Sequence, residues 1–587
     1  MPSESASQIR FLLCLLVIVT LGCAAELATF ARSDTAFLLY AAGRALDGAR
    51  LYVDVVEINP PLIVALNLPA VLLARALGVS DITIFRLLLS TALMVSLAFS
   101  AWALRLAMGS NRTRLRALVL LVAFALFLAP GNDFGQREHL LVGLALPYIF
   151  LAVARANGRP AAAVPAFAAG ILAGIGLALK PHFLLVWVAV EGYAAWRLVA
   201  RRPSHEAIGA VAFLVCYVAG VALFTPEYFR MILLLGPAYG GFGYDPFLYV
   251  LVTAPGTTGC YLAALTCTAL YARARNPTLW VILLVGLAAS FVAGAAQQKG
   301  WTYHFYPTKV FALLLLGLAV LDVWRPFPRP VQRVYAAAAF GVLGTSILWA
   351  FAMGIIRITH RDGVRESERV QLDQLVTAVR RHTPPTGSLY ILSYTIGSSF
   401  PLVNYSGVQW ASRFPHLWII EAVYQNQLHG KAPLRFHSRD AMGPAERYLN
   451  DAVYEDLARY RPDVLMVLQH ARDVQENALR RLDYLGYFER DSQIAGLLKE
   501  YRFSEEVGQY RLFVRSARSN RAGNPPTSAP GSHDVLRSEA TGARALLSNS
   551  EFLLNVLIFV VLASLAYSAE RRRAQRDAPA DGGQGAA

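Results

Sequence analysis

Charged residues are scarce in this chain. Asp, Glu, Lys and Arg make up 16% of its 587 residues, against about 25% in an ordinary soluble protein. That scarcity excludes a disordered chain and argues against a soluble multi-domain enzyme. Cysteine is rarer still: Cys14, Cys23, Cys216, Cys260 and Cys267 all fall inside apolar runs, without metal-ligand spacing. Neither a disulfide framework nor a zinc site is expected. No G-x-x-x-x-G-K-[ST] and no G-x-G-x-x-G opens a helix, so ATP-driven transport within the chain is not supported. Repeats of fixed period are also missing.

Apolar residues are plentiful instead. They amount to 56% of the chain and gather in long runs, many of the roughly 17 to 25 residues that cross a bilayer. The runs fall near 10–30, 83–107, 117–130, 140–154, 161–179, 182–199, 207–224, 247–271, 278–296, 308–323, 334–356 and 551–569. The fold class expected is an α-helical polytopic membrane protein of about twelve spans with a small periplasmic α/β domain. Residues 19–24 are faintly similar to a lipoprotein cleavage site, and the first run could be a signal peptide. Its long apolar region without a clean small-residue site favours a span.

The net charge of +15 comes from 54 Lys and Arg against 39 Asp and Glu. Its distribution argues against nucleic acid as a partner. Arg112/Arg114/Arg116, Arg155/Arg159, Arg201/Arg202, Arg273/Arg275, Arg325/Arg329/Arg333 and Arg571/Arg572/Arg573/Arg576 sit between apolar runs. If the first span enters from the cytoplasm at Arg10, all these clusters land on the cytoplasmic side. This parity requires the run 61–78, with Pro61, Pro69 and Arg75, to lie in the outer interface without crossing.

The domains follow. Residues 1–356 form the membrane core, with a first outer loop over 31–82. Residues 357–518 form the α/β domain, with helices expected over 366–381, 448–460 and 472–484 and strands over 388–393, 463–469 and 509–515. A flexible linker over 519–549 leads to a final transmembrane helix over 550–570, then a disordered cytoplasmic tail over 571–587. The outer face receives 31–82, 131–139, the junction at Lys180, 225–246, 297–307 and the α/β domain.

Most of the suggestive chemistry lies on that face. Asp34 follows the first span directly, where an N-cap for a helix over 35–47 is the plain structural role. A carboxylate at the membrane edge is costly unless it is paired or working. Next come Gly48, Tyr52, Asp54, Glu57, Asn59, Pro60, Pro61 and Leu62, then Leu77-Gly78, with Arg86 opening the next span.

This order resembles the first outer loop of the C-type glycosyltransferase superfamily. Its members are polytopic enzymes that take sugars from polyprenyl-phosphate carriers; they include the protein O-mannosyltransferases and the lipid A aminoarabinose transferases. The matching residues are Asp34, Gly48, Tyr52, Asp54, Pro60, Pro61, Leu62, Leu77 and Gly78. The family often carries Lys before the Pro-Pro pair, where this chain has Asn59. The resemblance implies that Asp34 and a second acid, for which Asp133 is the nearest match, are catalytic.

Further binding candidates are Asp54, Glu57, Arg137, Glu138, His139, Lys180, His182, Lys299, Tyr303 and His304. Lys, His and Tyr are donors suited to a leaving lipid phosphate, and aromatic rings suit a sugar face. Interface anchoring by an aromatic belt and snorkelling Lys is the structural alternative. The glycine-rich stretch 236–246 would suit a lid or an ordinary connection. No cofactor is expected, and a divalent cation is not favoured without a D-x-D pattern.

The expected activity is transfer of a sugar from a polyprenyl-phosphate donor to a glycan, lipid or protein acceptor, with inversion. The expected place is the periplasmic face of a bacterial inner membrane, with membrane lipid as a further partner. Other classes remain open. A secondary transporter or flippase would use Glu26 and Glu191; an assembly scaffold would use the soluble domain. A polysaccharide ligase or polymerase would use Arg137 and His139.

Overall fold

The computed structural model describes residues 4–109, 111–198, 203–253, 257–322, 330–359, 366–428, 433–469 and 482–516. The expected linker, final span and tail lie outside them.

The chain begins with α1 (Glu4–Ala28), α2 (Ser33–Leu46), α3 (Leu62–Leu77), α4 (Asp81–Met108) and α5 (Arg112–Phe127). It continues with α6 (Arg137–Ala156), α7 (Ala163–Leu179), α8 (Leu184–Leu198), α9 (His205–Phe224) and α10 (Glu227–Tyr239). Then come α11 (Phe247–Thr253), α12 (Thr257–Leu270), α13 (Pro277–Ala295), α14 (Tyr306–Asp322) and α15 (Pro330–Thr359). Among the described residues seven helices are long and apolar enough to cross a membrane. The remaining apolar helices are shorter, and α11 and α12 divide what the sequence presents as one run over 247–271.

Helix boundaries follow local chemistry. Asn111, Ser204 and Asn276 each accept a backbone N–H of the first turn they precede. Gly78 ends α3 in the left-handed conformation, φ +67°. α7 and α9 touch backbone to backbone: a Cβ on Gly170 would stand 2.1 Å from the Glu206 carbonyl. Small residues at such a crossing let dispersion do the work that hydrophobicity cannot do in lipid.

Several buried charges are paired across helices. Glu26 meets Arg86 at 3.6 Å and Arg357 at 3.2 Å, and Arg357 also donates to the Gly131 carbonyl at 3.1 Å. These contacts tie α1, α4 and α15 to the loop before α6. Glu191 accepts from Tyr148 at 2.7 Å and from Arg155 at 2.5 Å.

The α/β domain carries α16 (Glu366–His382), β1 (Ser388–Leu392), α17 (Leu402–Ser406), β2 (Gln409–Trp410), α18 (Trp418–Leu428) and α19 (Pro444–Tyr460). It closes with β3 (Val464–Leu468), α20 (Tyr484–Phe488), α21 (Ser492–Leu498), β4 (Tyr501–Val507) and β5 (Tyr510–Arg515). The strand order is β2-β1-β3-β5-β4. β1 runs parallel to β2 and β3, with Leu389 opposite Val464, while β5 is antiparallel to β3 and β4. β1 and β3 are buried along their whole length, as central parallel strands are. The helix expected over 472–484 falls mostly outside the described residues.

The domain sits on the first loop. Ala31 N donates to Tyr405 Oη at 3.0 Å, Asn404 to the Ala36 carbonyl at 3.1 Å, and Val56 N to the Arg413 carbonyl at 2.7 Å. Phe37 packs edge-on against Phe400 at 5.2 Å.

Candidate active site

Asp34 is not an N-cap. Arg32 holds that position, and Asp34 lies in the first turn of α2, where a carboxylate favours the exposed N–H groups. It is half-buried and accepts from Gln136 Nε2 at 3.2 Å. Gln136 immediately precedes α6, so the first and second loops meet here.

The start of α6 supplies the centre of the cluster. Arg137 is buried within electrostatic reach of Glu57, Glu138, Asp34 and Tyr303. Its Nε and Nη1 have no hydrogen-bond partner. Glu138 is fully buried, with Lys180 Nζ 3.0 Å and His304 Nε2 3.9 Å from its Oε1. Lys180 also lies 5.7 Å from the centre of the Tyr303 ring, which stands edge-on to His304 at 4.7 Å. His182 Nε2 and His304 Nδ1 are unpartnered as well. Four buried nitrogens thus lack partners around one point, although desolvating such groups unbonded costs about 1–3 kcal/mol each.

Below the cluster runs a narrow apolar crevice between α6, α7, α8 and α14. Leu141, Leu146, Leu177, Val186, Val190 and Phe311 are among its lining side chains. Every helix that lines it carries or adjoins a cluster residue: Arg137 and Glu138 open α6, Lys180 ends α7, His182 precedes α8, and His304 precedes α14.

Other expected site residues have different partners. Both ring nitrogens of His139 are taken by backbone: Gly135 N donates to Nδ1 at 3.0 Å, and Nε2 donates to the Leu126 carbonyl at 2.9 Å. Asp54 closes its own turn by accepting from Arg50 N at 2.9 Å, which holds its carboxyl below the usual range. In that turn Tyr52 has φ +68° and donates to the Asn59 carbonyl at 2.7 Å. Glu57 accepts from Ile58 N at 2.8 Å and Asn59 N at 2.9 Å while facing Arg137. Asp133 accepts from Thr302 Oγ1 at 2.8 Å and lies 3.9 Å from Lys309 Nζ, so it joins the second loop to the segment before α14.

Lys299 departs furthest from expectation. Its Nζ donates to the Tyr239 carbonyl at 3.1 Å and to the Phe242 carbonyl, and lies 4.3 Å from the Tyr239 ring centre and 5.0 Å from that of Trp301. Burial pulls its ammonium down to about 8. The structure commits it to the loop after α10 rather than to an open phosphate site.

Gln136 and Tyr239 belong to the cluster but were not among the residues expected from sequence. Gln136 sits in the polar run 131–139, which signals it; a tyrosine ending α10 gives no comparable signal. Among the described residues no three His, Cys, Asp or Glu side chains gather as metal ligands would.

No family model matches this chain, and no curated protein sequence matches it. Solved structures do. The crystal structure of ArnT from Cupriavidus metallidurans bound to undecaprenyl phosphate is 11% identical, with a TM-score of 0.53, over 87% of this chain and 98% of that one. The apo structure of the same protein is 12% identical, with a TM-score of 0.52 and the same coverage. At such identity the likeness is one of fold. The chain is a multi-pass helical membrane protein that shares the fold of these two structures.

Proposed function

We propose that the protein is an inverting glycosyltransferase that moves a sugar from a polyprenyl-phosphate donor to an acceptor hydroxyl. The observation that carries this reading is the set of unpartnered nitrogens on Arg137, His182 and His304, near Asp34 and at the starts of helices that go on to line an apolar crevice. A lipid phosphate offers anionic oxygens to the nitrogens and an apolar chain to the apolar side chains below them, whose crevice, about 30 Å³ as it stands, would have to widen to admit it. ArnT, which shares the fold, has been crystallised with undecaprenyl phosphate.

In this reading Asp34 takes the proton of the acceptor hydroxyl. The oxygen then attacks the anomeric carbon as the bond from that carbon to the phosphate oxygen breaks on the opposite side. Inversion follows from the single displacement. Charge developing on the leaving phosphate meets the Arg137 donors and the two imidazoles, arranged before the reaction starts. Lys180 balances Glu138 and sets its place. In this reading the site faces the periplasm across a bacterial inner membrane, which the parity of the Arg clusters supports.

A transporter reading has less support. Glu26 and Glu191, its candidate carriers, are already held by Arg86, Arg357, Arg155 and Tyr148. The test is sugar transfer by the purified protein from a synthetic polyprenyl-phosphate sugar, assayed with membrane glycans, lipid A and peptides as acceptors. Product formation with inverted configuration supports the proposal; lipid-sugar translocation without transfer would replace it.

A further inference from the structure

Between α10 and α11 the chain makes a glycine-rich loop whose contacts fall on two different neighbours. On the membrane side it is held by Lys299, as described, and by Asp245. Asp245 N donates to the Gln298 carbonyl at 2.8 Å, and its Oδ2 accepts from Gly300 N at 3.0 Å. On the other side Gly243 N donates to Glu421 Oε1, on α18 of the α/β domain, at 3.1 Å. Close approach demands the glycines: a Cβ on Gly241 would stand 2.6 Å from the Ala422 carbonyl, and Gly243 has φ +58°.

Phe242, at the tip, packs 5.6 Å from Trp301, 5.6 Å from His416 and 5.7 Å from Trp418. Beneath it His416 is buried with neither ring nitrogen bonded. Tyr239, where the loop starts, is within electrostatic reach of Arg137, Glu57, Asp34 and Glu138. A buried carboxylate is a costly way to pack one helix against a loop, since an apolar side chain would do so without desolvation. Its use as an acceptor for a loop amide is what offsets that cost.

We propose that Glu421 is a positioning residue for the transfer: by holding the Gly243 amide it keeps the loop down and Tyr239 against the Arg137–Asp34 cluster. The α/β domain is then part of the working site. This inference rests on the glycosyltransferase reading above.

The test uses the full chain in lipid nanodiscs, with hydrogen exchange of the peptide covering 239–246 measured beside sugar transfer. Glu421→Leu keeps bulk and removes the acceptor. It should speed exchange of that peptide about tenfold or more and lower kcat/KM about tenfold, chiefly through kcat, with donor-lipid affinity unchanged. Glu421→Gln retains an acceptor and should recover most of both losses. Unchanged exchange in Glu421→Leu, or faster exchange with unaltered kcat, overturns the proposal. A wild-type chain that transfers no sugar refutes the glycosyltransferase reading, and the exchange measurement still decides whether Glu421 holds the loop.

Discussion

Arg137 offers the sharpest perturbation of the cluster. Its side chain is buried, and two of its nitrogens are unpartnered. Around it stand Asp34, Glu57 and Glu138, with Lys180 as the second cation. Arg137→Met therefore has two separable effects. The first is on stability: a buried carboxylate group that loses its counter-charge costs about 3–5 kcal/mol. The second is on the donor phosphate: each charge-assisted hydrogen bond is worth about 1.5–3 kcal/mol, so losing two lowers kcat/KM by at least about 100-fold. Arg137→Lys divides the effects. It restores the charge, and with it the melting temperature, but a single ammonium cannot replace the planar guanidinium fork, and a deficit of about tenfold or more should remain. The assay pairs thermal unfolding in detergent with single-turnover transfer. If Arg137→Met lowers the melting temperature while the surviving enzyme turns over with normal kcat/KM, Arg137 is a structural counter-ion and the phosphate site lies elsewhere.

Lys299→Met should leave donor-lipid KM within about threefold and speed exchange of the 239–246 peptide, because Lys299 binds the Tyr239 and Phe242 carbonyls; a loss of lipid affinity above tenfold would return Lys299 to the phosphate. Burial raises the Glu421 carboxyl to about 7 from an ordinary 4.5, opposed in part by Lys299 and the Gly243 amide. The loop's own contact, the Gly243 amide, favours the carboxylate, which accepts a hydrogen bond more strongly than the neutral acid. Protection of the 239–246 peptide should therefore rise as pH goes from 5 to 8 in the wild type and stay flat in Glu421→Gln; equal slopes would remove Glu421 from the latch. In a chain with its native cysteines replaced, Ala162→Cys should resist impermeant thiol reagents in intact cells while Ser504→Cys reacts from the periplasm, and the reverse pattern would invert the topology.

What the sequence revealed depended on whether a residue's partner could be read from position alone. The parity of the Arg clusters placed Asp34, Arg137, Glu138, Lys180 and His304 on one face, and the structure brings these five into one cluster. The apolar run over 61–78 matches α3 almost residue for residue because Pro61 and Gly78 punctuate it. His139 and Asp54 were equally suggestive as residue types, yet their partners are backbone groups, which leave no trace in composition. The partners of Lys299 were hidden for the same reason: they are carbonyls about 60 residues earlier. β4 escaped because Tyr501–Val507 is a polar edge strand without apolar alternation. Glu421 sits in the apolar first half of its helix and gains meaning only from the loop that descends on it.

Asp34→Asn shows whether Asp34 is the base of a lipid-phosphate-dependent sugar transfer. The amide keeps the side-chain shape and an oxygen to accept from Gln136, so folding and donor binding should persist. In a purified assay with a polyprenyl-phosphate sugar and its acceptor, turnover should fall by about 10²–10⁴-fold while donor-lipid affinity stays unchanged. Transfer by Asp34→Asn at a near wild-type rate would contradict the account.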